Sequence, residues 1–384
     1  MSNVRDTFAK GKPIHCGIDN HKDTWAVVIR CEGEEIYRAE LPADTGRLIN
    51  LLRRFEASEV HTVYEAGPTG FWLHDALEEA GFDSRVTPAS KVPQVNDKVK
   101  TDHRDARKLA QMLEARFLRG IDIPTPEERA HRQMYRTREQ VMKHRTQTQN
   151  QIKSMLLFNG VRRPKGVRER WTQHYVRWLE TLTFEHEEIQ TSMGALLGLF
   201  RWLDERVKEL DRKLEDMAQR DEHREAVEIM DSVPGIGIRT AVAIEVELRD
   251  VVRFRKGSQL SSYLGVTPSE RSSGQTTRKG SITHCGNPRL RDLFVESSWT
   301  LIRHDPEMRR TYERIRHQTG SGKKAIVAVA RRLALRVRRM LLDKEPYHIE
   351  RNKGSGDAGG GSSRPVVQTV SSVGAKRIVR AKRA

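Results

Sequence analysis

The 384-residue chain has few cysteines, no long apolar run and fewer acidic than basic residues. Its three cysteines, Cys16, Cys31 and Cys285, are odd in number and far apart, which excludes a disulfide framework and a CxxC zinc site. No hydrophobic stretch approaches the roughly 18 residues that a membrane-spanning helix needs. The first residues also lack the apolar core of a signal peptide. We therefore expect a cytoplasmic protein without a membrane partner.

The charge that is present is mostly positive. Lys and Arg number 69 against 52 Asp and Glu, which gives a formal charge of +17 and a pI near 10.0. A surface of this kind attracts polyanions, so nucleic acid is the first partner to consider. Residues 129–170 are the clearest case, with twelve Lys and Arg against two Glu.

Residues 1–128 have the pattern of an α/β domain. Short β-rich runs predict strands over Ile14–Asp19, Thr24–Arg30 and Glu35–Leu41. Helices and strands then alternate, and a last helix is expected over Thr101–Phe117. The alternating elements are Thr45–Glu56, Val60–Glu65, Thr69–Ala80 and Ser84–Thr87. Three strands followed by helix, strand, helix, strand and helix is the order of an RNase H-like domain.

Four acidic residues stand at the boundaries of these elements. Asp19 and Glu65 end strands, whereas Asp102 and Asp105 lie three residues apart, on one face of a helix. Converged carboxylates repel and take up protons unless cations enter, and Mg²⁺ is the natural guest for oxygen ligands. Two such ions can hold a scissile phosphate between them. Each acid also has a structural explanation: Asp102 suits a helix start, and Asp19 suits a turn.

The middle of the chain, residues 129–225, is predicted to be helical. A basic helix is expected over Tyr135–Asn159. A second long helix carries apolar residues in alternating steps of four and three, which form a heptad seam: Leu196, Phe200, Leu203, Val207, Leu210, Leu214 and Met217. This seam fits a helix packed inside its own domain. It also fits a coiled coil, either as an internal hairpin with the basic helix or as a dimer contact.

Residues 226–345 form the expected C-terminal domain, mainly α. Ser232–Gly237 followed by an apolar run fits a helix-hairpin-helix turn that approaches a phosphate, or a tight turn with a structural role only. Tyr263–Gly286 is Ser-, Thr- and Gly-rich and is expected to be a loop. Lys323–Arg339 predicts a basic amphipathic helix. The tail, residues 346–384, is expected to be disordered and to contact nucleic acid weakly.

Ser272 and Ser273 lie within the expected loop, directly before Gly274. A serine becomes a nucleophile only when a base, a metal ion or neighbouring cations help it. No His or Lys pattern of a conventional triad adjoins the pair. From the residues alone, loop hydroxyls without a catalytic role are the simpler interpretation.

Several motifs together resemble those of the DEDD transposases of insertion sequences, the bridge-RNA-guided recombinases. The three acidic motifs are Gly17-Ile18-Asp19-Asn20-His21-Lys22, Tyr64-Glu65-Ala66-Gly67-Pro68-Thr69-Gly70 and Lys100-Thr101-Asp102-His103-Arg104-Asp105-Ala106. The second transposase domain of that family is matched by the Pro-Gly-Ile-Gly turn, Gly265-Val266-Thr267-Pro268, Ser272-Ser273-Gly274 and Gly286-Asn287 with Leu290-Arg291.

The resemblance implies an RNase H-like (RuvC-like) domain, a coiled-coil middle and a helical domain that bears a catalytic serine. It assigns two Mg²⁺ ions per site to Asp19, Glu65, Asp102 and Asp105, and the nucleophile to Ser273. It also implies a covalent phosphoserine link to DNA and a site shared between protomers, hence a homodimer that assembles into a tetramer. The implied partners are donor DNA, target DNA and a structured bridge RNA, and the DNA-bound protein would associate with the nucleoid.

Two other functions remain open from the sequence. One is a metal-dependent junction-resolving nuclease, in which Ser273 plays no covalent role. The other is an inactive nucleic-acid-binding protein, although all four acids are retained.

Overall fold

The computed structural model describes residues 4–89, 92, 101–168, 170–273, 276–283 and 285–349; the side chains of residues 4–6 and 270–279 lie outside this description. Within it the chain divides into two compact units, residues 1–144 and 145–384. The expected tail lies outside the described residues from residue 350 onward. None of the described helices is both long enough and apolar enough to cross a membrane.

The first unit is mixed α/β. In chain order it contains α1 (Val4–Ala9), β1 (Pro13–Asn20), β2 (Thr24–Cys31), β3 (Glu34–Pro42), α2 (Thr45–Arg53), β4 (Glu59–Glu65), α3 (Trp72–Glu79), β5 (Asp83–Thr87) and α4 (Asp102–Glu114). The strands and helices expected from the sequence are confirmed, with ends that differ by at most three residues. The short α1 was not foreseen. A long helix, α5 (Pro126–Phe158), follows.

Five strands form one mixed sheet in the order β3-β2-β1-β4-β5. The first three strands pair antiparallel, and a left-handed Gly33 (φ 87°) lies in the turn between β2 and β3. β1, β4 and β5 run parallel. Parallel neighbours need a crossover connection, and α2 and α3 lie in the connections to β4 and β5.

The sheet has helices on both faces because its strands are apolar on both sides. Alternate residues of β1, namely Ile14, Cys16 and Ile18, pack with α2 and α3 in the larger core. On the opposite face α4 packs against β2 and β4 through small and aliphatic residues: Ala26, Val28, Val63, Ala106, Leu109, Ala110 and Leu113. By the same alternation Asp19 and Glu65 belong to the α4 face.

The second unit is mostly helical. After the last turns of α5 it contains α6 (Gln173–Glu180), α7 (Glu187–Ala218), α8 (Asp221–Asp231), α9 (Ile238–Leu248), a 3-10 helix (Val251–Arg253), α10 (Gly257–Tyr263), β6 (Pro268–Ser273), β7 (Thr276–Ile282), α11 (Pro288–His304), α12 (Pro306–Thr319) and α13 (Gly322–Asp343). The basic helix expected over Lys323–Arg339 is confirmed, with its apolar side buried.

The expectation of a loop over Tyr263–Gly286 was wrong, because β6 and β7 pair there as an antiparallel hairpin. The Ser- and Gly-rich composition obscured the strands. The two adjacent threonines at the start of β7 and Ile282 at its end nevertheless favour extended backbone, since β-branched residues suit strands.

The heptad seam of α7 is buried within the chain. Its first two residues, Leu196 and Phe200, pack in one cluster with Ile152 and Leu156 of α5 and with Tyr175 and Leu179 of α6. Five of the seven seam residues are buried, and Leu196 and Leu210 are half-buried. Burial of this kind is expected both for a helix packed inside its own domain and for an internal hairpin with α5, so both alternatives stay open.

Candidate active site

Asp19 and Glu65 are brought together by strand register. In the parallel pair β1 and β4, Ile18 lies opposite Tyr64, so Asp19 and Glu65 are the next residues of the two strands. Neighbouring strands lie about 4.8 Å apart. Because both residues occupy the α4 face, the sheet places two carboxylates side by side at its edge.

Gly17 lets α4 lie directly against β1. A Cβ on Gly17 would stand 2.0 Å from the carbonyl oxygen of Ala106 and 2.5 Å from the amide nitrogen of Ala110, so only glycine allows this approach. The contact lies one helical turn beyond the start of α4. As a result Asp102 and Asp105, both in the first turn, reach the end of β1 that carries Asp19.

His21 joins this cluster from the turn that follows β1. Its Nε2 atom lies 3.4 Å from Oδ2 of Asp19 and 3.7 Å from Oδ2 of Asp102. One potential ligand atom from each of the three side chains lies within 4.8 Å of the others. Asp19 is mostly covered, whereas Asp102 and His21 remain open to solvent, so the site is accessible from one side.

The electrostatics of the site favour a cation. Burial raises the pKa of Asp19, the nearby charges of Asp102 and Asp105 raise it further, and His21 opposes the shift without cancelling it. Carboxylates in this arrangement resist being charged together. Oxygen donors with one open side are the donor set that Mg²⁺ prefers, so the residues fit a divalent ion.

The loop after Glu65 is tied to the same edge of the sheet. The Asn20 side chain donates a 2.7 Å hydrogen bond to Oγ1 of Thr69, and the Tyr64 hydroxyl donates to the carbonyl of Gly70 at 3.2 Å. These bonds fix the loop relative to β1 and β4. They therefore restrain the chain on both sides of Glu65.

Of the sequence-predicted acids, the structure clusters Asp19, Asp102 and Asp105, and strand register adds Glu65. Sequence reasoning missed His21, because scattered histidines carry no spacing pattern. The signal that would have found it is Asp-x-His at a strand end. Two residues of separation across a turn can return the imidazole to the carboxylate.

The expected nucleophile, Ser273, is the last residue of β6, and its backbone pairs with Thr276 across the hairpin. Its side chain lies outside the described atoms, as does that of Ser272. The base of the hairpin is closely packed: a Cβ on Gly265 would stand 2.4 Å from the carbonyl oxygen of Cys285, and one on Gly286 would stand 2.4 Å from that of Tyr263. Both glycines have positive φ, at 67° and 126°.

Asn287 and Arg291 secure the same base to the helices. The Asn287 side chain accepts hydrogen bonds from the first amides of α11, and its Nδ2 atom donates to Oε2 of the fully buried Glu247 at 2.8 Å. Arg291 donates to the carbonyl of Leu264 at 3.0 Å. Partly buried polar contacts therefore connect the residues that flank the hairpin to α9 and α11.

The glycine-bearing turn between α8 and α9 has a packing role. Gly235 adopts φ 100°, and a Cβ there would lie 2.6 Å from the carbonyl oxygen of Ser297 on α11. This contact accounts for Gly235 without a phosphate. Gly237, the N-cap of α9, has open space around its Cβ position.

Two family models match the chain. A DEDD-type model described as a transposase covers residues 16–159, and a model described as the transposase family IS116/IS110/IS902 covers residues 227–313. The first range includes the four acids, and the second includes the hairpin. Fold and comparisons together define a transposase, an enzyme that acts on DNA.

Relatives span most of the chain. A Sinorhizobium fredii (strain NBRC 101917 / NGR234) protein named as transposase y4qE is 30% identical over 279 residues, which are 72% of this chain and 67% of that protein. The transposase for insertion sequence element IS1533 of Leptospira borgpetersenii is 26% identical over 346 residues, covering 87% and 97% of the two chains. The chain belongs to the IS116/IS110/IS902 family of insertion-sequence transposases.

Proposed function

We propose that this transposase cuts and rejoins DNA with Ser273 as nucleophile and with Asp19, Glu65, Asp102 and Asp105 as ligands for two Mg²⁺ ions. The observation that carries the proposal is the meeting of Asp19 with the first turn of α4, made possible by the close approach at Gly17. The sheet order supports an RNase H-like, RuvC-like fold for this unit.

The carboxylates would bind the ions, and the ions would stabilise the entering and leaving oxygens of the phosphate. Asp19 and Glu65 are held by backbone pairing in neighbouring strands, so they form the fixed part of the site. Asp102 and Asp105 belong to a helix start, where negative side chains are favoured. His21 would orient Asp19 and Asp102.

In the proposed reaction the Ser273 oxygen attacks phosphorus as the serine proton leaves. A phosphoserine ester bond forms, one ester bond of the DNA strand breaks, and the strand departs with a hydroxyl end. Attack by a strand hydroxyl on the phosphoserine then restores Ser273 and joins the DNA. The number of ester bonds is conserved, so no energy source is needed.

We further propose the partners that the family resemblance implies. A structured bridge RNA selects donor and target DNA, and the acids of one protomer act with Ser273 of another in a homodimer that assembles into a tetramer. The basic character of residues 129–170 supports contact with a phosphate backbone. We also propose that the chain consists of four parts, with boundaries after residues 128, 225 and 345.

Cleavage and joining by single-residue variants test the chemistry. Ser273→Ala should abolish the covalent protein–DNA species, seen as a slow-migrating labelled band on a denaturing gel, whereas Ser272→Ala should retain it. Asp102→Asn and Asp105→Asn should remain folded and lose Mg²⁺-dependent cleavage. Strand transfer by Ser273→Ala would eliminate the serine role, and its cleavage without joining would favour a junction-resolving nuclease.

Sequencing of RNA that copurifies with the protein tests the guide. We expect an RNA that maps to DNA flanking the gene. Preparations that carry no such RNA yet still recombine DNA would contradict RNA guidance.

A further inference from the structure

Trp72 is an exposed aromatic residue near the acidic site. It is the first residue of α3, and 48% of its surface is open to solvent. Its ring lies 5.6 Å from that of Trp25, which is fully buried in β2. Trp25 packs against Trp72 from the core side. The Trp72 ring therefore presents an apolar face to solvent and has restricted freedom to move.

The chain path fixes Trp72 at the edge of the sheet where the acids meet. In the antiparallel pair β1 and β2, Trp25 lies opposite Asn20, which is the residue that follows Asp19. Asn20 in turn holds the loop that leads to Trp72 through its hydrogen bond to Thr69. The indole therefore lies at the same strand ends as the carboxylates, on the face of the sheet that α2 and α3 cover.

Two basic residues occur on the segments around this aromatic face, and one of them is ion-paired. Lys22 is exposed in the turn between β1 and β2. The guanidinium of Arg129 lies 5.6 Å from the ring of Phe71, the residue before Trp72, and pairs with Asp75 on α3. Exposed aromatic rings with Lys and Arg beside them are the arrangement by which proteins bind single-stranded nucleic acid.

We infer that Trp72 stacks on an unpaired DNA base next to the phosphodiester that the acids hold. A nucleotide presents its phosphate and its base in different directions, and this edge of the sheet offers carboxylates on one face and an indole on the other. The inference rests on the proposed function, since it places the reacting phosphate at Asp19 and Glu65. A base in this position would keep the strand from sliding during the reaction.

The test uses a single-stranded DNA oligonucleotide that contains one 2-aminopurine, whose fluorescence falls when the base stacks. With Ca²⁺ in place of Mg²⁺, the full-length wild-type protein should quench the probe. Trp72→Ala should abolish the quenching and weaken binding about tenfold, within the range measured for base–aromatic contacts. Trp72→Phe should retain part of both. Trp202→Ala on α7, where the tryptophan is 56% exposed, is the matched control and should behave as wild type.

Trp72 also covers Trp25, so a second variant separates stacking from folding. Trp72→Leu keeps an apolar cover but lacks an aromatic face, and it should match wild type in melting temperature while losing the quenching. Undiminished quenching by Trp72→Leu or Trp72→Ala overturns the inference. So does a Trp72-dependent quenching seen with an RNA probe and not with the DNA probe.

Asp105→Asn distinguishes this inference from the proposed chemistry. It should fail to cut, and it should still quench the DNA probe, but less than wild type does because it removes a proposed ligand of the ions that hold the phosphate. Cleavage by Asp105→Asn would defeat the assigned metal site, whereas the quenching results decide the role of Trp72 separately.

Discussion

Gly17→Ala is the substitution that most directly tests how the acidic site is assembled. The new Cβ would stand 2.0 Å from the Ala106 carbonyl oxygen, and real Cβ atoms essentially never approach a heavy atom closer than 3.0 Å. Both neighbours are backbone atoms of α4, so no side-chain rotation can relieve the clash. The helix must therefore move away from β1 by about 1 Å, taking Asp102 and Asp105 with it.

The effects on stability and on activity should differ in size. Overpacking of this kind costs about 1–3 kcal/mol of unfolding free energy, which a unit of this size can survive. A displacement of about 1 Å at a reacting centre costs on the order of a hundredfold in rate. We therefore expect a folded Gly17→Ala protein with a modestly lower melting temperature and a DNA cleavage rate about a hundredfold lower.

The assay is single-turnover cleavage of labelled DNA in Mg²⁺, with thermal melting of the same preparations. Gly194→Ala is the matched control because its Cβ would meet nothing within 4 Å. Gly194 lies inside α7, where alanine is the better helix former by about 1 kcal/mol. The control should melt slightly higher and cleave normally. Wild-type cleavage by Gly17→Ala would refute the close approach of α4 to β1 and the geometry built on it.

Three further predictions concern the second unit. Gly235→Ala should lower the melting temperature strongly, since its positive φ and its contact with α11 both exclude a side chain. Burial lowers the pKa of His223, but contact with Glu245 outweighs burial, so the pKa lies above 6.5. The stability that this contact contributes is complete below pH about 6.5 and is lost as pH rises through the raised pKa. His223→Gln should flatten this pH dependence of the unfolding free energy, measured in urea. Asn287→Leu removes the amide that donates to the buried Glu247 and should lower the unfolding free energy by about 1–3 kcal/mol in the same assay. An unchanged unfolding midpoint in any of the three variants would contradict the role assigned to that residue.

The sequence predicts the elements of the first unit well because their signals are local. Strand runs that end in Asp19 and Glu65, and a helix that starts at Asp102, can be recognised from composition and spacing alone. Their convergence depends on register between β1 and β4, which no local pattern specifies. The role of Gly17 is likewise invisible in the sequence, since its cause is the backbone of a helix almost ninety residues away.

In the second unit the sequence is less informative for the same reason. The turn glycine Gly235 fits a phosphate-binding pattern, yet its conformation is explained by packing on α11. The sequence does not predict the hairpin because its residues are mostly polar. The residues that secure its base, Asn287 and Arg291, lie outside its strands. Polar anchors can be identified only when the fold brings their partners near.

The two halves of the acidic cluster are stabilised in different ways, and this explains how the fold tolerates it. Asp102 and Asp105 gain from the positive end of α4, whereas Asp19 is covered and feels their charge. A bound cation would thus favour the ionised form of Asp19, whose pKa burial and the neighbouring acids raise. Removing one α4 charge by Asp102→Asn should relieve the repulsion, so a variant that loses cleavage should unfold no more easily than wild type in metal-free buffer. A variant that loses activity but keeps its stability is expected where a site serves to bind cations and does not stabilise the fold.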